Sequence, residues 1–181
     1  MSQLEDILKA LEGQRHPPVH LWNPDYCGEI DMVIHKDGTW SYMGTPIGRQ
    51  RMVNLFASVL RFEENGRYYL VTPVEKIGIQ VEDVPFVTTL MDILDESEGP
   101  AIHFETNVGD KVIVDQAHPL EVLYLEGRDE PRPYVTVRSN LKAKINRANF
   151  YELVENAVEV ENKLCVNSRG GCYSLGDISD V

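Results

Sequence analysis

The sequence predicts an α+β fold of two domains that share a duplicated strand–helix core, the second being a bent β-sheet or barrel with one C-terminal helix. Three observations support this prediction. The pattern Ile-x-Arg-x-x-apolar-apolar-x-Leu-apolar occurs at residues 47–56 and again at residues 145–154. A run of candidate strands begins at Lys76, and a helical period of apolar residues begins near Ala148. We place the two domains at residues 1–78 and 79–181.

The first elements are a short helix and a hairpin. Ser2 followed by Glu5 is a capping-box pattern, and Gly13 is a residue that commonly ends a helix. A proline-rich connection over residues 15–28 follows. Residues 30–42 then predict a hairpin whose turn is Asp37-Gly38.

The next segment predicts a helix and a second hairpin. Thr45 is a good N-cap residue, and Pro46 suits the first position of a helix. The apolar stripe of this helix includes Leu55 and Phe56. A second hairpin turn is expected at Asn65-Gly66.

Strands dominate the second half. The predicted strands are 77–81, 87–94, 101–106, 112–115, 121–125, 134–138 and 141–145. A helix is predicted from about 148 to 162, and residues 167–181 are expected to form a loop or one late strand.

Composition excludes several classes of partner. The net charge of −12 over 181 residues argues against binding to nucleic acid or to an anionic membrane, since both need a basic surface. Three cysteines are too few and too scattered for a disulfide framework, so we expect reduced thiols in the cytoplasm. The first residues lack the features of a signal peptide, and no apolar run reaches the length of a transmembrane helix.

The acidic residues avoid the arginine-bearing start of both copies of the repeated pattern. Residues 38–62 and 131–151 contain no Asp or Glu, although an even spread of the 29 acids would place about seven there. Both windows contain basic residues, among them Arg49 and Arg147. This distribution predicts a basic pocket within an acidic protein.

Each copy places an arginine at the start of a predicted helix. A helix N-terminus presents unpaired N–H groups and a positive dipole end, and an arginine adds a forked donor suited to phosphate or carboxylate. We therefore predict that Arg49 and Arg147 bind an anionic ligand between the two domains, with Thr45 organising the first helix terminus. The alternative is that these arginines cap carbonyl groups or pair with surface acids.

Secondary candidates for the same ligand are Lys76, Asn107 and Arg138. Lys76 follows the Thr72-Pro73 connection and alternatively pairs with Glu75 or Glu82. Asn107 lies in a turn segment that needs no function to explain it.

Signatures of catalysis are absent from the sequence. It contains no nucleophile elbow, no phosphate-binding loop and no dinucleotide fingerprint, so we assign no catalytic residue and no cofactor. His16 and His20 have the spacing of metal ligands, but the intervening prolines prevent a helical pair, so no metal is predicted. A hydrolase of phosphorylated metabolites stays open as an alternative, with His118, Glu75 and Asp110 as its possible base or nucleophile. A protein-interaction module is a third hypothesis.

Several short motifs, taken in order, resemble a bacterial family of unknown function. They are Gly28-Glu29-Ile30-Asp31-Met32, Asp37-Gly38-Thr39-Trp40, Gly44-Thr45-Pro46-Ile47 with Arg49, Leu70-Val71-Thr72-Pro73 with Glu75-Lys76, Val81-Glu82-Asp83, Pro85-Phe86, Thr106-Asn107 with Gly109-Asp110, His118-Pro119-Leu120, and Tyr134-Val135-Thr136-Val137-Arg138 with Leu141. Together they span roughly residues 22–177 and are similar to the domain-of-unknown-function family numbered 1285.

This resemblance implies two domains with a duplicated core. It implies that the second domain is similar to the pleckstrin-homology fold. It also implies a nucleotide-like ligand at the domain interface and a role in signalling. The resemblance supplies no catalytic residue.

Overall fold

The computed structural model describes residues 9, 11, 13, 15–128 and 130–178, and it divides the chain into two compact units, Met1–Pro85 and Phe86–Val181. Apart from residues 9 and 11, the predicted N-terminal helix lies outside the described residues. The division falls seven residues later than the sequence predicts. The reason is that the strand Lys76–Val81 pairs with two other strands of the first unit and so belongs to it as a whole.

The first unit is built on one six-stranded sheet. Its strands, β1 to β6 in chain order, are Tyr26–Ile34, Trp40–Tyr42, Thr45–Pro46, Leu60–Phe62, Tyr68–Val71 and Lys76–Val81. The helix α1, Gln50–Ser58, connects β3 to β4. The predicted turn at Asp37-Gly38 is confirmed: Gly38 has a φ of 86°, and Asp37 Oδ1 accepts a hydrogen bond from the backbone N–H of Thr39. Fully buried side chains from the sheet and helix, including Met32, Trp40, Phe56 and Leu70, form its core.

The second unit repeats the six-stranded sheet and adds a smaller one. Strands β7 to β12 are Phe86–Glu96, Gly99–Thr106, Lys111–Ile113, Leu120–Tyr124, Pro131–Arg138 and Leu141–Lys144. The helix α2, Arg147–Glu155, follows β12. Strands β13 to β15, at Val158–Val160, Lys163–Ser168 and Gly171–Asp177, form a three-stranded antiparallel sheet.

The two large sheets have the same strand order. The first is ordered β3-β2-β1-β6-β5-β4, and the second, taken in the same direction, is ordered β9-β8-β7-β12-β11-β10. In each sheet two antiparallel three-stranded meanders are joined by a parallel pair, β1 with β6 and β7 with β12. The fold is therefore mostly β, with two α-helices in the described ranges and a duplicated six-stranded core.

The repeated Ile-x-Arg pattern does not coincide with this duplication. Its first copy follows the third strand of its sheet, whereas its second copy follows the sixth strand. The third and fourth strands of the second sheet are joined instead by residues 114–119, which contain no helix. The expectation of a duplicated strand–helix core is thus correct for the strands and wrong for the position of the helix.

The end of the chain also differs from the prediction. The helix expected over residues 148–162 ends at Glu155, and Asn156 is its C-cap. Beyond it, Val158 and Val160 alternate with Glu159, which is the period of a strand, and all three residues pair with β14. The tail that was expected to be a loop or one strand supplies β15 and the end of β14.

Candidate functional site

The first copy of the repeated pattern forms a helix start without a side-chain cap. Arg49 is the N-cap residue of α1, its backbone is extended, and its side chain makes no capping hydrogen bond. The first turn of α1 contains no acidic residue and includes Arg51. Both arginines are exposed, and neither side chain has a hydrogen-bond or ion-pair partner among the described residues. We call this set, Arg49, Arg51 and the N-terminal turn of α1, the first corner.

Thr45 does not organise this helix terminus. It lies in β3, where it pairs with Tyr42, and the helix begins five residues later. The N–H of Ile47 donates to the carbonyl of Trp40 at 2.8 Å, which keeps the chain in the sheet beyond Pro46. The predicted N-cap role of Thr45 is therefore wrong, and a ligand contact by its exposed side chain stays a prediction.

The second copy forms a capped helix start. Asn146 is the N-cap of α2, and its Oδ1 accepts a hydrogen bond from the backbone N–H of Asn149 at 2.8 Å. Asn146 also donates its backbone N–H to Thr88 Oγ1 and its side-chain amide to the Thr88 carbonyl, each at 3.0 Å. Arg147 is exposed and lies 3.6 Å from the equally exposed Glu130. One of the first N–H groups of this helix is thus satisfied by a side chain, whereas at the first corner the N–H of Met52 donates to the Arg49 carbonyl at 2.9 Å.

The start of β7 gathers the other predicted residues of the second unit. Asn107 exchanges two hydrogen bonds with Val87, accepting at Oδ1 from the backbone N–H at 3.1 Å and donating its own N–H to the carbonyl at 3.0 Å. Arg138 places its guanidinium 5.0 Å from the ring centre of Phe86. Since Phe86, Val87 and Thr88 are consecutive, Arg138, Asn107 and the α2 start are all anchored to one short stretch of strand.

These contacts give Asn107 and Arg138 structural roles. Arg138 Nε donates to Asp110 Oδ2 at 3.2 Å, and the Asp110 side chain is only 8% exposed. Burial lowers the pKa of the Arg138 guanidinium, and the adjacent Asp110 carboxylate acts against that shift. The cation–π contact fixes the end of β11 against β7, and the largely buried ion pair fixes it against the turn between β8 and β9.

Lys76 pairs with a residue that the sequence interpretation did not consider. Its Nζ lies 3.3 Å from both carboxylate oxygens of Glu63, and it lies 4.9 Å from the ring centre of Tyr69. Arg61 donates to the same carboxylate from Nε and Nη2, while its Nη1 bonds the carbonyls of Val19 and Trp22. This cluster ties the proline-rich connection to the edge strand β4.

The Glu63 cluster predicts a pH dependence of stability. Burial by itself raises the pKa of the Glu63 carboxyl, but hydrogen bonds from Arg61 and Lys76 outweigh it and hold that pKa below the ordinary value of a glutamate. The stabilisation from this depressed pKa is present above the ordinary pKa and is lost as the pH falls through it toward the folded-state value. Urea unfolding between about pH 7 and about pH 3 should show a smaller loss of stability in Glu63→Gln than in wild type.

Glu64→Gln is the matched control for this experiment, because Glu64 is the exposed neighbouring glutamate. It should follow the wild-type pH dependence. If Glu63→Gln also follows it, the ion pairs of Glu63 do not contribute to folding stability.

The residues proposed for a hydrolase are engaged in local structure. Asp115 Oδ1 accepts hydrogen bonds from the backbone N–H groups of Ala117 and His118 and lies 2.9 Å from His118 Nδ1. Asp110 carries the Arg138 pair, and the backbone of Glu75 closes a turn with Thr72. Within the described ranges, no group of three or more potential metal ligands lies close together.

Sequence reasoning missed the polar residues that fix the start of α2. Thr88 is 2% exposed and joins α2 to β7, and nothing in the strand pattern around it marks that role. Asn146 carried a usable signal, since asparagine directly before a helical period is a preferred N-cap.

Neither helix in the described ranges has the length and hydrophobicity to span a lipid bilayer.

These observations define the class: a mostly β protein that contains two six-stranded sheets of the same strand order. The sequence matches two domain families of unknown function. Residues 17–84 match the N-terminal domain of DUF1285, and residues 85–175 match its C-terminal domain. The chain belongs to the DUF1285 family, as its sequence motifs indicated.

Solved structures support this assignment. The chain is similar to a DUF1285 family protein from Silicibacter pomeroyi DSS-3, with 39% identity and a TM-score of 0.92 over 99% of this chain and 98% of that one. It is also similar to a DUF1285 family protein from Shewanella baltica OS155, with 26% identity and a TM-score of 0.53 over 70% of this chain and 91% of that one. No curated protein matches the sequence.

Proposed function

We propose that this protein binds an anionic, phosphate-bearing small molecule of the nucleotide type and acts as a sensor in signalling. The first corner is the observation that carries the proposal. There the start of a nine-residue helix lacks a side-chain cap, two arginines stand beside it without partners among the described residues, and its first turn has no acid.

The chemistry of the first corner suits a phosphate group. The positive end of the helix dipole at the first turn favours a negative charge. Two guanidinium groups add forked donors that match phosphate oxygens. Arg147 is a weaker candidate, because its helix start is capped by Asn146 and its side chain lies near Glu130.

The residues around the first corner favour binding of the ligand without catalysis. The stretch from Gly38 to Phe62 supplies no Asp, Glu or His that could act as a general base beside the ligand. A cytoplasmic setting is part of the same proposal, and the three free cysteines support it. A relation of the second unit to the pleckstrin-homology fold is a further part, supported by its antiparallel strands followed by α2.

Thermal-shift titration with ATP, ADP and inorganic pyrophosphate tests the proposal. A ligand present at a hundredfold excess over its Kd should stabilise the wild type by ~2.7 kcal/mol. The double variant Arg49→Ala/Arg51→Ala should lose this response while keeping its ligand-free Tm, because both side chains are exposed. Arg49→Lys should lose part of it, since lysine keeps the charge but not the fork.

Lys36→Ala is the control, since it removes a positive charge from an exposed position elsewhere in the same unit. It should respond as wild type does, and adenosine, which lacks phosphate, should shift none of the proteins. A double variant that still responds fully to every phosphate ligand would remove the first corner from the proposal. An equal loss in Arg147→Ala would show that the second copy contributes as much as the first.

A further inference from the structure

Strand β7 has one paired edge and one edge that is open over most of its length. It pairs with β8 from Thr88 to Glu96 along one side. Along the other side, β12 pairs only with Phe86 and Val87. The side-chain amide of Asn146 then donates a hydrogen bond to the Thr88 carbonyl, so the pairing with β12 ends at that point.

From residue 89 to residue 96 this side of β7 has no backbone hydrogen-bond partner in the described ranges. By contrast, the outer edge of the β7–β8 hairpin, which belongs to β8, has hydrogen-bond partners. There β8 pairs with β9, Val114 donates to the Ile102 carbonyl, and Arg169 donates to the Pro100 carbonyl. We call the open stretch, residues 89–96 of β7, the free edge.

The free edge lacks three common protections against pairing. Exposed edges are commonly blocked by proline, by lysine or by a bulge within the strand. Residues 89–96 contain neither proline nor lysine, and the irregularity in the pairing falls at the first end, between Thr88 and Leu90. The remaining register, from Leu90 to Glu96, is regular. A strand of this length can accept a further strand through its free backbone groups.

Apolar side chains accompany the free edge. Leu90 is 60% exposed and Leu94 is 49% exposed. Because side chains alternate along a strand, these two leucines lie on the same face, separated by Asp92. Met91, on the other face, is buried. An added strand would therefore find both open hydrogen-bonding groups and an apolar surface at alternate positions.

The charge of the free edge selects the partner. Asp92, Asp95 and Glu98 are exposed acids without an ion-pair partner among the described residues. The segment 89–98 contains no basic residue. Two copies of this edge would bring their carboxylates together, and like charges across a strand pair are destabilising. A segment with basic residues complements the edge instead.

We propose that the free edge binds an extended basic segment of a partner protein by strand addition. Main-chain hydrogen bonds to residues 89–96 supply the pairing, Leu90 and Leu94 contact apolar side chains at alternate positions, and the acids contact lysine or arginine. This site lies within β7 and uses neither Arg49 nor Arg51, so it stands or falls independently of the proposed ligand.

A labelled eight-residue peptide that alternates lysine and valine is the probe, measured by fluorescence anisotropy. Leu90→Lys/Leu94→Lys should weaken its binding by at least about tenfold, because lysine on an edge strand opposes pairing. Val158→Lys/Val160→Lys is the matched control. It adds the same charge at exposed valines of another edge strand, β13, and should bind within about twofold of wild type.

Two further measurements separate strand addition from charge attraction alone. An analogue with proline in place of one of the two inner valines should bind at least about tenfold more weakly, because proline cannot complete the ladder. Hydrogen exchange should slow at amides within 89–96 when the first peptide binds. Equal binding of both peptides with unchanged exchange would overturn the proposal, as would self-association of wild type that Leu90→Lys/Leu94→Lys abolishes, which would make a second copy the occupant.

Discussion

Replacing Phe56 with alanine is expected to destabilise the first unit by about 3–5 kcal/mol, the usual cost of deleting a buried phenylalanine ring. Phe56 is fully buried in α1, and its ring stacks against Trp40 at 6.2 Å with an interplanar angle of 22°. The surrounding sheet cannot close around the cavity because its strands are fixed by their hydrogen bonds. Urea or guanidinium unfolding followed by tryptophan fluorescence measures the effect.

Asn54→Ala is the control for this prediction. Asn54 is exposed on the same helix, and its side chain accepts one hydrogen bond, from Gln50. Its removal should change stability by no more than about 0.5 kcal/mol. If Phe56→Ala costs no more than Asn54→Ala, the stacking of α1 on β2 is not what holds the first corner in place.

Replacing Ser168 with alanine is expected to destabilise the second unit by about 2–4 kcal/mol. Ser168 is completely buried, accepts a hydrogen bond from the Ile102 N–H at 3.0 Å and donates to the Val114 carbonyl at 2.7 Å. The substitution leaves both backbone groups buried and unpaired. It also cuts the link between the three-stranded sheet and the end of β9.

Ser174→Ala is the matched control, because Ser174 lies exposed on the neighbouring strand β15. We expect it to change stability by less than about 0.5 kcal/mol when both variants are unfolded in urea and followed by circular dichroism, because both tryptophans lie in the first unit. A wild-type midpoint for Ser168→Ala would mean that water or a shifted backbone replaces both hydrogen bonds.

The strands could be predicted because local chemistry and tertiary pairing agree there. Residues 30–42 combine an Asp-Gly turn with flanking β-formers, and the structure confirms the hairpin. The strands expected from residue 77 to residue 145 are all present, with ends that differ by a few residues. The open edge of β7 could not be foreseen, since a strand's sequence does not say where its neighbour stops.

The helix boundaries failed where tertiary pairing decides. Thr45-Pro46 has the local form of a helix start, yet pairing with Ser41 and Tyr42 makes it a strand. Val158 and Val160 fit a helical period as well as a strand, and pairing with β14 selects the strand. The location of the candidate site followed from the distribution of charge, but its capping depends on which side chain reaches a backbone N–H. The acceptor oxygen of Asn146 reaches one, whereas Arg49 carries only donors and cannot cap an N–H group.

The parallel pair at the centre of each large sheet sets the order in which the protein can be assembled during synthesis. The partner of β1 is β6, so the first sheet cannot close until residue 81 has left the ribosome. The partner of β7 is β12, so the second sheet stays open until residue 144. Meanders form from local contacts, whereas joining the first strand to the last requires a long loop to close and is slow. Each large sheet is therefore completed only by its own last strand, β6 or β12, and the meander made first keeps its central edge exposed until then.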